Sequence, residues 1–286
     1  MAVDADRMLK TIREAAMLLR ATTGRRGMTI HLPKDAVDFV VAGDLHGNVN
    51  NLRSILAIAD LDQHPHRHLI LQEFVHGTAR YQNGGCTSHR LLDAISLLKT
   101  RYPQRVHLLL GNHELSQWTG RKVGKDDVFL NDIFEVGIEA LYGDRADEFV
   151  EAYDLLFSSM PLAVRTESRI FMSHSIPEAR HLPSFDFSVF ERFGVGEDDL
   201  GKNSPVYQLV WGRDTRDETA IAFCQRVDAD FLVTGHIPQE KGFAMPNSRQ
   251  MIIDCVATPA ACMLLPANRP ITTEEFIAGI RELPST

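Results

Sequence analysis

Seven polar residues stand where apolar runs end: Asp44 and His46 in "VVAGDLHGN", Glu73 in "LILQEF", Asn112 and His113 in "LLLGNHE", His174 in "FMSHS", and His236 in "LVTGHIP". Carboxylate oxygen, imidazole nitrogen and amide oxygen are transition-metal donors, and this mixed set suits Mn²⁺, Fe or Zn²⁺ better than an all-thiolate set would. Any one of them has an ordinary explanation. A histidine after a strand is commonly a satisfied surface or core residue, and an aspartate commonly opens a turn. Five separate run-ends furnished in this way point instead to a shared cation site. Residues i and i+2 leaving a strand project to one side, so Asp44 and His46 are spaced to grip one cation. Gly43 and Gly47 relieve crowding there and permit backbone angles closed to other residues. Six candidate ligands, Asp44, His46, Glu73, Asn112, His174 and His236, exceed one ion's need and fit two ions bridged by a carboxylate.

The runs that must position these residues are 37–44, 67–74, 106–114, 169–175 and 231–237, with 250–256 and 260–266 beyond them. They are short and rich in Val, Ile, Leu and Phe, the pattern of buried strands. Periodic segments between them predict helices over 49–60 with Asn48 as cap, over 89–102 from Ser88, and over 218–230. Thr272 and Glu275 make a capping box for a helix through "EEFIAGIREL". Residues 115–160 read as helical. Residues 177–217, with Pro, Phe, Gly and an acidic "GEDD", read as a loop-rich cover over the site. Alternating strands and helices in the first half predict a parallel sheet, and the later short connections predict antiparallel pairing. Open sheets of this kind hold ligands beyond the carboxyl ends of their strands.

A hydrophobic content of 44% in 286 residues supports a substantial core. The apolar runs stop well short of the roughly 18–20 residues a membrane helix needs. Residues 1–27, with "MLKTIREAAMLLR", read as an amphipathic helix rather than a signal peptide. The expected organisation is an N-terminal helical extension, 1–28, ahead of a catalytic domain, 29–286, in a soluble cytoplasmic protein. Cys86, Cys224, Cys255 and Cys262 are scattered and predict no disulfide framework. A net charge of −8 argues against broad nucleic-acid binding, which needs a basic face. Twelve histidines are the one compositional hint of metal chemistry. "HPHRH", residues 64–68, reads as an exposed loop.

"GDLHGN", "LLLGNHE", "MSHS" and "VTGHIP", in that order, resemble the motifs of calcineurin-like metallophosphoesterases, and in particular the phosphoprotein phosphatase group with its bacterial relatives. The resemblance spans roughly residues 38–265. It implies an α/β fold of four αββα layers, with two central mixed β-sheets flanked by helices and two divalent ions at the sheet ends. Manganese is the first expectation for those ions, with iron or zinc next. By position, Asp44 and His46 bind one ion, and Asn112, His174 and His236 the other. A dinuclear site of this kind neutralises phosphate oxygens and yields a hydroxide at neutral pH. His113 matches the general acid that protonates the departing oxygen. Glu114 reads as a helix-start carboxylate.

One motif departs from the pattern. The family's GDxVDRG carries a bridging Asp, a second Asp that supports the general-acid His, and an Arg that binds phosphate. The matching stretch here is "LQEFVHG", residues 71–77, one residue shorter. Glu73 replaces the bridging Asp, Val75 is kept, and His76 stands where the Asp–Arg pair belongs. A neutral imidazole stabilises an imidazolium less than a carboxylate does, and it lacks the guanidinium fork. Arg80 and Arg90 are candidates for the lost positive charge. Arg213, in "LVWGRDT", matches a family segment and is a candidate phosphate contact, with a salt bridge to Asp214 or Asp217 as its alternative. "HSI" (174–176) and "VATPAAC" also depart from the eukaryotic pattern. The expected activity is hydrolysis of phosphomonoesters, with phosphoserine and phosphothreonine proteins as substrates. A phosphoesterase for small molecules or dinucleoside polyphosphates, and a low-activity, metal-bound pseudophosphatase serving as a binding module, are the alternatives. Nothing in the sequence sets the oligomeric state.

Overall fold

Each predicted strand run folds as a strand, and together they build two mixed sheets flanked by helices. The structure, a computed structural model, describes residues 4–125 and 128–284. Positions 126 and 127 of the expected helical region, and the outermost terminal residues, lie outside it.

The five-stranded sheet has the order β14 (Ile280–Glu282), β13 (Ala261–Pro266), β3 (Asp38–Asp44), β4 (Arg67–Gln72), β5 (Val106–Leu109). β3, β4 and β5 are parallel, joined by α2 (Val49–Ala59) and α3 (His89–Arg101), while β13 and β14 pair antiparallel. The seven-stranded sheet runs β1 (Arg25–Arg26), β2 (Thr29–His31), β8 (Ala163–Arg165), β9 (Ile170–Ser173), β10 (Phe231–Thr234), β12 (Gln250–Ile253), β11 (Phe243–Ala244). Here β9, β10 and β12 are parallel neighbours. A small hairpin, β6 (Gly124–Lys125) with β7 (Val128–Phe129), interrupts a helical stretch of α4 (Asn112–Trp118), α5 (Leu130–Tyr142) and α6 (Ala146–Phe157).

The sheets meet where the site forms. Asp44, at the end of β3, bridges in parallel to Asp254 just beyond β12. A side chain at Gly43 would strike the Ile253 carbonyl, so only glycine lets the two backbones approach this closely.

Several local expectations are corrected. The 106–114 run is strand only to Leu109, and Asn112 and His113 open α4 instead. The C-terminal capping box forms, with Thr272 accepting from the Glu275 N–H, but α10 (Thr273–Ala278) stops early. Residues 280–282 are β14, because pairing beside β13 satisfies their backbone where an exposed helical turn would not. Ser88 does not cap α3 with its side chain; its hydroxyl accepts from the Cys86 thiol. The 177–217 segment is not open loop. It carries 3₁₀ turns at Leu182–Ser184 and Phe187–Phe190, then α7 (Glu197–Leu200) and α8 (Pro205–Trp211). Phe185, Phe187 and Phe190 pack on Phe223 of α9 (Asp217–Val227) and Phe171 of β9, and that apolar cluster orders the turns. In the 64–68 tract, Arg67 and His68 are buried in β4: Arg67 pairs with Asp38 at 2.7 Å, and His68 Nδ1 lies 2.9 Å from His107 Nε2. The N-terminal helix α1 (Ala5–Arg20) buries Leu9, Ile12 and Leu19 against α3 and α6. No helix among the described residues is long and apolar enough to cross a membrane.

Candidate metal centre

Four chain turns leave the strand ends at angles that L-residues seldom adopt. His46, Glu73, His76 and His236 all have positive φ, at 40°, 51°, 61° and 66°. Each costs of order 1–3 kcal/mol, a strain retained because it turns these side chains back over the strand ends. The turns are tied together. The Leu45 and His46 amides both donate to the Glu73 carbonyl, at 2.8 and 2.9 Å, and the His236 amide donates to the Asp44 carboxylate at 3.0 and 3.1 Å.

Glu73 stands at the middle. Its carboxylate belongs to two groups whose ligand atoms lie within 4.8 Å of one another: His46, Glu73 and His113, and Asp44, Glu73 and His174. One oxygen accepts from the His113 amide at 2.9 Å, at the start of α4 where a helix favours negative charge. The other lies 2.8 Å from His174 Nε2 but has no hydrogen-bond donor aligned with it. Asp44 thus lies close to His174 across the sheet junction, with Oδ1 3.8 Å from Nδ1, and its charge also bears on His46.

The histidine tautomers follow from their outer partners. His46 Nδ1 donates to the Val75 carbonyl at 2.6 Å, leaving Nε2 for the centre. Gln72 commits its amide nitrogen to the Ala42 carbonyl at 3.0 Å, so its oxygen faces His174 Nδ1 at 2.9 Å. Nδ1 must then carry the proton. His174 Nε2 is left as a lone pair aimed at Glu73 and, at 2.9 Å, at Asn112 Oδ1. Three acceptors converge with no proton between them, and His236 Nε2 is buried without any partner. A cation resolves both arrangements, so these residues fit the divalent ions that the motifs imply.

The electrostatics agree. Burial pushes the Asp44 carboxyl up to about 6, and pushes Glu73 and Glu114 up to about 7, with Glu73's charge adding to the rise at Glu114. Burial alone would lower His46, but the carboxylates of Glu73 and Asp44 raise it. Burial lowers His113, His174 and His236, helped at His113 by the imidazoles of His46 and His76, and favours the neutral rings that metal ligation by His174 and His236 requires.

Two residues escaped the sequence reading. Gln72 orients His174; its signal was a lone amide closing the otherwise apolar run "LILQ". Glu114 does begin a helix, yet its fully buried carboxylate also accepts the Phe74 and Val75 amides, at 2.7 and 3.1 Å, and so holds the turn that carries Glu73. No sequence feature distinguishes that from an ordinary first-turn Glu. His76 Nδ1 lies 2.8 Å from His113 Nδ1, so its ring occupies the supporting position beside the candidate acid.

Among the candidate arginines, Arg213 is exposed just after α8, and its charge bears on His174 and His236. It makes no ion pair among the described residues. Asp214 is taken by Arg216, and Asp217 by Ser248 at 2.6 and 2.8 Å, which removes both alternative partners. Arg80 lies beside His76 but is folded onto the carbonyls of Gly77 and Ala79. Arg90, in the first turn of α3, bears on Tyr81, His89 and Asp93 rather than on the central residues.

Comparison with known proteins gives this geometry its context. Residues 37–240 match the family model described as calcineurin-like phosphoesterase. Serine/threonine-protein phosphatase 5 of Homo sapiens is 21% identical over 246 residues, covering 77% of this chain and 42% of that protein. The PP2A-like phosphatase PPG1 of Candida albicans is 28% identical over 134 residues, covering 47% of this chain and 28% of that protein. The chain thus spans less than half the length of these curated relatives. A serine/threonine phosphatase from Saccharomyces cerevisiae has the same fold, with a TM-score of 0.67 at 16% identity, covering 99% of this chain and 91% of the other. A cold-active protein-tyrosine phosphatase of a psychrophilic Shewanella gives a TM-score of 0.53 at 17% identity, covering 87% and 80%. Two mixed sheets, a shared glutamate at their junction and a family match over most of the sequence lead to one conclusion: the chain belongs to the calcineurin-like phosphoesterases.

Proposed function

We propose that this chain is a two-metal phosphomonoesterase, acting on phosphoserine and phosphothreonine in proteins. One observation carries the reading: Glu73 is shared by two ligand groups, the arrangement that a carboxylate bridging two ions requires. Asp44, His46, Asn112, His174 and His236 complete the set around it, Asp44 and His46 for one ion and Asn112, His174 and His236 for the other. Divalent ions held there, manganese by first expectation, would screen phosphate oxygens and activate water for attack on phosphorus. The chain's own residues supply the rest. Arg213 is the free guanidinium at the rim and offers a planar fork to the phosphate, with Arg80 as a weaker second contact. His113 lies 4.7 Å, ring to ring, from His46, close enough to the ligands to support its role as the acid that protonates the leaving oxygen. Arg90 has no part in this scheme. The protein-phosphate preference rests on the relatives named above, and the cytoplasmic location remains part of the proposal.

The test is reconstitution with Mn²⁺, metal analysis, and an assay panel of phosphopeptides, a dinucleoside polyphosphate and an aryl phosphate. The expected result is close to two ions per chain, with phosphopeptide hydrolysis that His113→Ala abolishes while metal content stays the same. A chain that takes up no metal, or that hydrolyses none of the panel, overturns the proposal. Preference for the dinucleoside substrate would transfer it to small-molecule phosphoesters.

A further inference from the structure

We propose that Gln117 and Glu135 act through His76 as positioning residues, holding His113 in a single tautomer with Nε2 turned to the cleft. This chain of three side chains supplies the support that the missing second aspartate of the GDxVDRG motif would have given. The inference rests on the reading of His113 as the general acid.

The logic runs inward from the surface. Gln117 Nε2 donates to the Glu135 carboxylate at 3.1 Å. Turning the amide over would set its oxygen against that carboxylate with no proton between them, so the oxygen must face inward. There it lies 2.9 Å from His76 Nε2. An amide oxygen only accepts, so His76 Nε2 holds the proton and Nδ1 is a lone pair. His76 Nδ1 is 2.8 Å from His113 Nδ1 and must accept from it. The proton of neutral His113 is therefore on Nδ1, and Nε2 is the nitrogen left to face the substrate.

The geometry is built for this. Gln117 sits one turn after His113 on α4, on the same face of the helix. The His76 ring is buried, packed edge-on against Phe134 at 5.8 Å, and its backbone is held at φ 61°. Glu135 lies on α5 at the exposed end, where its negative charge polarises the hydrogen bonds behind His113. For the reaction His113 takes a second proton on Nε2, and the imidazolium gives that proton to the departing alkoxide oxygen as the P–O bond breaks. The ring returns to the neutral Nδ1–H form, and the proton lost by the attacking water balances the one given to the leaving group, so no proton need travel along the chain.

Two measurements on the Zn²⁺-loaded protein, which is diamagnetic, test this. Nitrogen-15 NMR of the histidine rings should place the His113 proton on Nδ1 and the His76 proton on Nε2; a His76 proton on Nδ1 overturns the proposal. Gln117→Leu should lower kcat for an alkyl phosphate by about 10- to 100-fold, with an aryl phosphate, whose leaving group needs little protonation, nearly unaffected. The swap Gln117→Glu with Glu135→Gln, which keeps an acceptor facing His76, should restore the alkyl rate. Equal losses on both substrates, or no rescue by the swap, would reduce Gln117 to a packing role. The NMR result needs no turnover, so a protein that hydrolyses no phosphoester would defeat the functional reading while leaving this assignment open to its own test.

Discussion

The substitution of Glu for Asp at position 73 shows how one extra methylene is absorbed. A longer carboxylate needs its backbone set back, and Glu73 takes a left-handed φ of 51° while Glu114 clamps the next two amides. The centre therefore depends on residues that touch no cation. Gln72 is the clearest case, since its amide decides which nitrogen of His174 is left bare. Gln72→Leu should weaken metal affinity by about 10- to 100-fold, the usual cost of losing an outer partner of a ligand histidine. Competition against a chelator would measure it, and unchanged affinity would show that packing alone orients His174.

At the level of elements, the parallel strands β4 and β5 carry a load unrelated to the centre. His68 and His107 stack at 5.2 Å between them, both buried. Burial holds His68 down at about 4, assisted by Arg105, and lowers His107 further. Between about pH 4 and the ordinary histidine value, the folded rings bind fewer protons than the unfolded ones, so stability falls as pH drops through that window. For His68 alone the loss is on the order of 3 kcal/mol. Urea denaturation at pH 7 and pH 4.5 should show this decline, and a His68→Phe, His107→Leu variant should flatten it. An equally steep decline in the variant would assign the acid sensitivity to the histidines of the centre.

Across the whole molecule, the site exists because two sheets converge. β3 and β4 deliver Asp44, His46 and Glu73 from one sheet; β9 and β10 deliver His174 and His236 from the other. The close passage of Gly43 against Ile253 sets their spacing. Gly43→Ala should cost about 1–3 kcal/mol from overpacking and should also loosen metal binding, because Asp44 moves with the strand. Denaturation and metal titration of one variant read both effects, and a stability loss with full metal affinity would show that the sheets can part without disturbing the ligands. α1 belongs to the same body, since Leu9, Ile12 and Leu19 complete the packing of α3 and α6.

The sequence by itself determined the strands, the family and the polar residues at the strand ends, because those features are local. An apolar run of four to seven residues and a DxH spacing are legible without knowing their neighbours. It misplaced what depends on neighbours. The end of the last helix became β14 because β13 offered a partner, and the phenylalanine-rich segment became ordered turns because Phe223 lay beneath it. Only the tertiary structure decided that Asp44 meets His174 across the sheets, that Arg213 is free while Asp214 takes Arg216, and that His76 is backed by Gln117 and Glu135. Hydrogen bonds between residues 40 or 100 positions apart are chosen by which atoms meet, and composition and spacing carry no record of that choice.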